Sequence, residues 1–329
     1  MKIIVDAFGG DNAPKEIIKG SALAAEKLGV DIIICGKKED ILKVCENESI
    51  DPATFEIVDA SEVISNDDDA VKAIRTKKDS SMVRGLELLT KNQGDAFVSA
   101  GSTGALLAGG TFIVKRIKGV KRAARSPIIP CAGGQFLLID CGANVVCQSN
   151  FLEQFAVLGS IYVQKLFDVK NPRVGLLNNG AEESKGTDLQ VETFKLLKES
   201  GLNFIGNVEG RDAPMGICDV LVTDGFTGNI FLKTVEGTAT MITNQMKQMF
   251  KSSPAGMLSA LMLKGRLKWF KASMDYNKHG GAPLLGLSKP VIKAHGSANA
   301  ECFFNAVRQA VEFKKNDVIS VFENHFSQE

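Results

Sequence analysis

The residues best suited to chemistry fall in two short, similar stretches. Phe97–Ala105 reads Phe-Val-Ser-Ala-Gly-Ser-Thr-Gly-Ala, and Leu221–Asn229 reads Leu-Val-Thr-Asp-Gly-Phe-Thr-Gly-Asn. Both follow apolar-Val-Ser/Thr-x-Gly-x-Thr-Gly, an apolar strand running into a glycine turn at a helix start. Gly101, Gly104, Gly225 and Gly228 carry no side chain where a ligand would approach the backbone. The unpaired N–H groups of a first helical turn favour an anion, phosphate above all, and Ser102 and Thr103 add hydroxyl donors. The pattern predicts a phosphate cradle; a capped strand-to-helix turn with no ligand accounts for the same residue types. Neither stretch is a G-x-G-x-x-G dinucleotide loop or a Walker P-loop, which argues against a familiar NAD or ATP site.

Further polar groups stand at strand ends, where open α/β sheets bind their ligands. Asp6 closes the first strand before Phe8-Gly9-Gly10-Asp11-Asn12-Ala13-Pro14, and Asp140 closes another before Gly142-Ala143-Asn144. Lys185 follows Asn178-Asn179-Gly180, and His295 ends Val291–Ala294 before Gly296 and Ser297. Lys185 and His295 are the candidate catalytic side chains, each also readable as a solvated lysine or a structural histidine. There is no G-x-S-x-G, no reactive-cysteine signature and no metal-ligand set. This inventory fits a reaction in which phosphate is itself the reactant. Its dianion needs little help from a base near neutral pH, so the protein would supply orientation and charge stabilisation.

The elements that must position these groups alternate. Strands are predicted at Lys2–Ala7, Asp31–Cys35, Phe55–Val58, Phe136–Asp140, Arg173–Leu177 and Phe204–Val208, with helices at Glu16–Leu28, Ser80–Lys91, Asn150–Leu166, Leu189–Ser200 and Ala300–Asn316. That alternation implies a doubly wound α/β fold with a parallel sheet, both cradles lying at one edge of it. The helix after Thr103 is expected to reach about Ile117, and Tyr276–Gly286 reads as a Gly/Pro loop. With 329 residues, 44% hydrophobic content and a net charge of +1, a single large domain is expected and nothing global points to nucleic acid. Seven scattered cysteines fit buried thiols in a reducing cytoplasm. Met1-Lys2 leads straight into a strand, so no leader is expected, and no apolar run reaches the roughly 18 residues of a membrane span.

Two basic stretches remain. Lys115–Arg125 carries Lys115, Arg116, Lys118, Lys121, Arg122 and Arg125, which reads as a solvated loop or a docking patch for an acidic partner. Gly237–Met274 contains no acid and six bases, Lys247, Lys251, Lys264, Arg266, Lys268 and Lys271. Met257, Leu258, Leu261 and Met262 would share one helix face within it, and Trp269 follows. Such a basic amphipathic hairpin, over about residues 240–275, fits a membrane interface or a dimer contact.

Over nearly its full length the chain resembles the bacterial phosphate acyltransferase family (acyl-acyl-carrier-protein:phosphate transacylase). The residues that carry the likeness are Asp6-x-x-Gly9-Gly10-Asp11-x-x-Pro14, Ser99-Ala100-Gly101-x-Thr103-Gly104 and Asp140-x-Gly142-Ala143-Asn144. Further on come the Asn178–Gly186 turn with Lys185, Asp224-Gly225-Phe226-x-Gly228-Asn229, Gly280–Gly286 and Ala294-His295-Gly296-Ser297. Phe8, Asn179 and Ala298 depart from the family pattern, which has Met, Ile and commonly Ser there. The resemblance implies a fold like isopropylmalate dehydrogenase and phosphate acetyltransferase, as a doubly wound α/β/α sandwich, and a homodimer. It implies transfer of a long fatty acyl group from acyl carrier protein, which bears the phosphopantetheine, to inorganic phosphate, with no nucleotide, metal or other cofactor. A membrane glycerol-3-phosphate acyltransferase would use the acyl phosphate for phospholipid synthesis, so the protein would be cytoplasmic and peripheral to the inner face of the membrane. Asp6, Gly9, Gly10, Asp11, Asn12, Gly101–Gly104, Asn144, Asp224, Gly225, Gly228 and Asn229 would bind phosphate and substrate, while Lys185 or His295 would stabilise the oxyanion or help the thiolate leave. Met257, Leu258, Leu261, Met262, Lys264, Arg266, Lys268 and Trp269 would meet membrane or partner.

Overall fold

The computed structural model describes residues 1–273 and 280–327. Its strands are β1 Lys2–Asp6, β2 Asp31–Gly36, β3 Phe55–Asp59, β4 Ala96–Ser99, β5 Ala124–Arg125 and β6 Ile128–Cys131, then β7 Gly134–Ile139, β8 Val174–Asn178, β9 Phe204–Glu209, β10 Val220–Val222, β11 Gly281–Leu285 and β12 Val291–Ala294. They form two sheets, ordered β3-β2-β1-β4-β12-β11-β5 and β6-β7-β10-β8-β9. Pairing is parallel except where β11 meets β12 and β5, and where β6 meets β7.

The helices are α1 Lys15–Leu28, α2 Lys38–Asn47, α3 Ala70–Thr76, α4 Ser81–Thr90, α5 Thr103–Gly109 and α6 Ser149–Phe167, followed by α7 Asp188–Glu199, α8 Gly225–Lys251, α9 Pro254–Met262, α10 Lys264–Ser273, α11 Ala300–Lys315 and α12 Val318–Phe326. The strands are apolar on both faces, as parallel strands covered by helices must be. In β1, Ile3 and Val5 join the core under α1 and α11, while Ile4 turns the other way towards α4 and α5. In the second sheet, Leu137, Ile139, Val220 and Val222 pack under α6, and Phe136, Leu138 and Leu221 pack under the start of α8. The α/β, doubly wound reading therefore holds, with helices on both faces of each sheet.

Several local expectations differ. The two glycine turns lie on different sheets, after β4 and after β10, because strand pairing is not written in either strand. Gly281–Leu285 is a strand rather than a loop: the Pro283 carbonyl accepts the Ser126 N–H at 3.0 Å, and its nitrogen needs no partner. The helix from Thr103 stops at Val114, its last turn widened so that the Lys115 N–H bonds the Gly110 carbonyl. Ala70–Thr76, in a stretch where no element was expected, forms a helix capped by Asp69, with Lys72 and Arg75 as its only bases.

Beyond Glu236, helix α8 continues into α9 and α10, and no described residue from 237 to 268 is buried. Leu258 is 60% exposed, Leu261 67% and Met262 81%, so the expected apolar face is present and open. The Trp269 side chain and residues 274–279, Tyr276 to His279 among them, lie outside the described residues.

Candidate functional site

The carboxyl ends of β1, β4 and β12 bring the first group of polar residues together. Asp6 is buried and accepts the Ser99 hydroxyl at 2.7 Å and the Phe8 N–H at 3.2 Å. Burial pushes its carboxyl up, against the pull of hydrogen bonds from Ser81, Ser99 and Phe8 and of the Lys293 charge. Ser99 Oγ also accepts the Gly101 N–H at 3.0 Å. Gly9 packs so closely that a Cβ there would stand 2.7 Å from the Asp6 carboxylate and 2.9 Å from Ser99 Oγ. Gly10, at φ +98°, directs the chain so that the Asp11 N–H bonds the Gly296 carbonyl at 2.8 Å. The Asn12 amide donates to the Ser297 and Ala298 carbonyls. Asp11 and Asn12 thus sit beside His295–Ser297, far along the chain.

A second group gathers at the ends of β7 and β10. Asp140 is fully buried and accepts four N–H bonds, from the Asn144 backbone at 2.6 Å, the Asn144 side chain at 3.0 Å, Arg125 at 2.9 Å and Cys141 at 2.6 Å. Burial raises its pKa to about 6, and those bonds hold it from rising further. The Asn144 amide also donates to the Ala123 carbonyl at 2.8 Å. Asp224 caps α8, accepting the Thr227 N–H at 2.9 Å and its hydroxyl at 2.8 Å. A Cβ at Gly225 would meet the Asn144 backbone and Asp140, and one at Gly228 would meet the Asp140 carbonyl. These glycines let α8 press against the 140–144 turn, a packing reason for them that needs no ligand. Asn229 lies over Gly142, and Ser102 caps α5 through the Ala105 N–H at 3.4 Å.

Between the groups runs a narrow cleft lined by Arg125, Ile128, Leu232, Glu236, Lys293 and His295, among others. Its volume is about 40 Å³, the room of about three waters, which suits a small anion rather than an acyl chain. Lys293 is buried in an otherwise apolar strand, and its ammonium donates to the carbonyls of Ala100 at 3.0 Å and Ala294 at 2.6 Å. Burial, then Arg125, lowers its pKa to about 7, with Asp11 and Asp6 opposing and Lys233 reinforcing. Arg125 Nη1 reaches the Cys141 carbonyl at 3.3 Å, but its Nε is buried with no partner among the described residues. A half-buried guanidinium whose Nε is shielded from water and unpaired, beside a second cation, is a place for an anion.

His295 Nδ1 accepts the Ser297 N–H at 3.3 Å and lies 2.9 Å from Ser297 Oγ. Neutral His295 therefore carries its proton on Nε2. Burial depresses its pKa below the ordinary 6.5. Nitrogen NMR is expected to show an unprotonated Nδ1 at neutral pH and a midpoint below 6.5. An Nδ1–H tautomer or a higher midpoint would contradict this geometry.

Lys185 is not a lining residue of this cleft. It is exposed on the loop after β8, whose Asn178, Asn179, Gly186 and Thr187 border a second cleft of about 490 Å³ with Thr227, Ile230 and Phe231. Gly104 and Asn144 share a third, of about 270 Å³, with Leu107, Phe112, Arg116 and Arg122. Sequence reasoning missed Lys293 and the role of Arg125. The signal for Lys293 was a charge inside an apolar run, and for Arg125 a base flanked by Ala123, Ala124 and Pro127 rather than by further bases. In the rest of the basic loop Lys115, Lys118, Lys121 and Arg122 are exposed.

The family model for fatty acid synthesis protein matches residues 1–321. The phosphate acyltransferase of Thermoanaerobacter pseudethanolicus is 49% identical over 330 residues, covering 100% of this chain and 97% of that protein. A phosphotransacetylase from Streptococcus pyogenes superposes with TM-score 0.63 at 17% identity, over 97% of this chain and 94% of that one. A 4-hydroxythreonine-4-phosphate dehydrogenase from Salmonella typhimurium, described as such provisionally, does so with TM-score 0.54 at 13% identity, over 95% and 98%. At these identities the two structures are alike in fold alone.

Proposed function

The chain belongs to the phosphate acyltransferase family and is an acyltransferase; from that premise we propose that it moves a long-chain fatty acyl group from acyl carrier protein to inorganic phosphate, for phospholipid synthesis. The observation that carries the phosphate half is the cleft in which Arg125, with its buried unpaired Nε, meets Lys293 and His295. Phosphate held there attacks the thioester carbonyl, C–O forms as C–S breaks, and the cations hold the charge that develops on oxygen. His295, neutral with Nε2–H, is a hydrogen-bond donor for that oxyanion. Lys185 joins this reading as an oxyanion or thiolate contact brought in on its loop, with Asn144, Asn229 and the turns at Gly9–Asn12 and Gly101–Gly104 framing the substrate.

The donor half draws support from charge and shape. The cleft shared by Gly104 and Asn144 is walled by Val71, Leu107 and Phe112 and rimmed by Arg116 and Arg122, next to exposed Lys118 and Lys121. An acidic carrier protein with an apolar cargo complements such a surface. The exposed apolar face of α9 and its neighbouring bases fit the membrane surface, where an insoluble acyl phosphate would be handed on to a glycerol-3-phosphate acyltransferase. A second copy of the chain is the other occupant of this arm in the reading.

Purified protein given palmitoyl-acyl carrier protein and labelled phosphate is expected to form phosphate-dependent palmitoyl phosphate. Turnover of acetyl-coenzyme A with none of the long-chain carrier substrate would replace the reading with short-chain transfer. No product from either donor, with the protein folded, would leave a binding scaffold. For the arm, Leu258→Glu is expected to abolish flotation with anionic liposomes while leaving turnover of the carrier substrate in solution within about twofold, since surface changes away from the core act locally. Unchanged flotation would remove the arm from membrane contact.

A further inference from the structure

Lys293 has more to offer than charge. Among the described residues, two of its three N–H bonds go to the Ala100 and Ala294 carbonyls, leaving one for a ligand in the cleft that the residue lines with Arg125 and His295. Thioester cleavage by phosphate raises a proton problem that such a group can answer. The thiolate that departs is a strong enough base to need a proton, whereas the acyl phosphate formed is a stronger acid than the phosphate it came from.

We propose that Lys293 carries the proton of the acyl transfer, donating it to the departing sulfur and recovering one from the acyl phosphate; this rests on the phosphate acyltransfer reading above. The hydrogen phosphate dianion attacks, the C–O bond forms and the C–S bond breaks with its electron pair going to sulfur. The Lys293 ammonium protonates that sulfur. The neutral amine then takes the remaining P–OH proton of the acyl phosphate, which restores the ammonium. The net change is one proton moved from phosphate to thiol, with no further reactant. The surroundings favour both transfers, because burial and Arg125 bring the lysine to about 7, below the ordinary thiol value of about 8.5, and its ammonium is then a stronger acid than the thiol it must make. Among the described residues, the charged groups that face it are Asp6, Asp11, Arg125, Lys233, Glu236 and His295.

The test compares two palmitoyl donors, the carrier-protein thioester and the thioester of 4-nitrothiophenol, whose thiolate leaves without a proton. Lys293→Met is expected to lower kcat on the first by on the order of 10²-fold and on the second by less than about tenfold. Equal losses on both donors, or a loss confined to the KM for phosphate, would overturn the proposal and make Lys293 an anion-binding or structural residue. If wild type forms no acyl phosphate from any donor, it is the parent reading that fails instead. Should the variant not fold, wild type alone decides. The rate gap between the two donors is expected to widen from about pH 6 to about pH 8.5 as Lys293 loses its proton, and a constant gap would refute the role.

Discussion

Arg125→Met is expected to lower kcat/KM for phosphate by on the order of 10²–10³-fold, while the folded protein becomes no less stable. The guanidinium spends one contact on the Cys141 carbonyl and keeps its Nε buried without a partner among the described residues. A buried donor without a partner costs the fold free energy until an anion arrives, so an apolar side chain of similar length relieves that cost and removes the anion's partner together. Arg125 also lowers the Lys293 pKa by its charge, so the variant's activity is expected to persist to higher pH than that of wild type. Steady-state kinetics over a pH series, with urea unfolding of the same samples, reads both effects. Activity within a few-fold of wild type, or a rise in KM for the acyl donor alone, would take phosphate out of this cleft.

Asp140→Ala is expected to destabilise the fold by about 3–5 kcal/mol, because it strands buried donors at once. The Asn144 backbone and side chain and the Arg125 and Cys141 N–H groups all converge on that carboxylate, and α8 packs against the same turn through Gly225 and Gly228. The sign of the pH dependence follows from its pKa of about 6, raised by burial above the ordinary 3.8. The folded state holds the proton more tightly than the unfolded chain, so this group adds most stability below about pH 4, and that part is lost as pH rises through about 6. The cost of Asp140→Ala, read by urea unfolding, should therefore be larger at pH 4 than at pH 8. A loss under about 1 kcal/mol at both would show that water or a shifted loop replaces the carboxylate.

The alternation of strands and helices was legible because each element advertises itself locally. Ile3, Ile4 and Val5 are continuous apolar residues fit for burial on both faces, and Ile17, Ile18, Ser21 and Ala24 recur at helical spacing. The glycine turns after Asp6, Ser99, Ile139 and Val222 were legible for the same reason. Whether a turn glycine serves a ligand or a neighbour was not. Gly228 looked like part of a phosphate cradle, and the structure sets it against the Asp140 carbonyl. Pro283 looked like a loop residue until β5 and β12 supplied partners on either side.

By itself, then, the sequence determined most of the element types, the polar strand ends, the apolar face of Met257–Met262 and the family. Periodicity, turn chemistry and motif order are properties of neighbouring residues. Only the tertiary structure decided that the strands divide into two sheets, and that Arg125 on a short edge strand faces Lys293 near the chain's far end. Such meetings depend on which strands pair across long stretches of chain, and a cation becomes an anion site only when packing has stripped away its water.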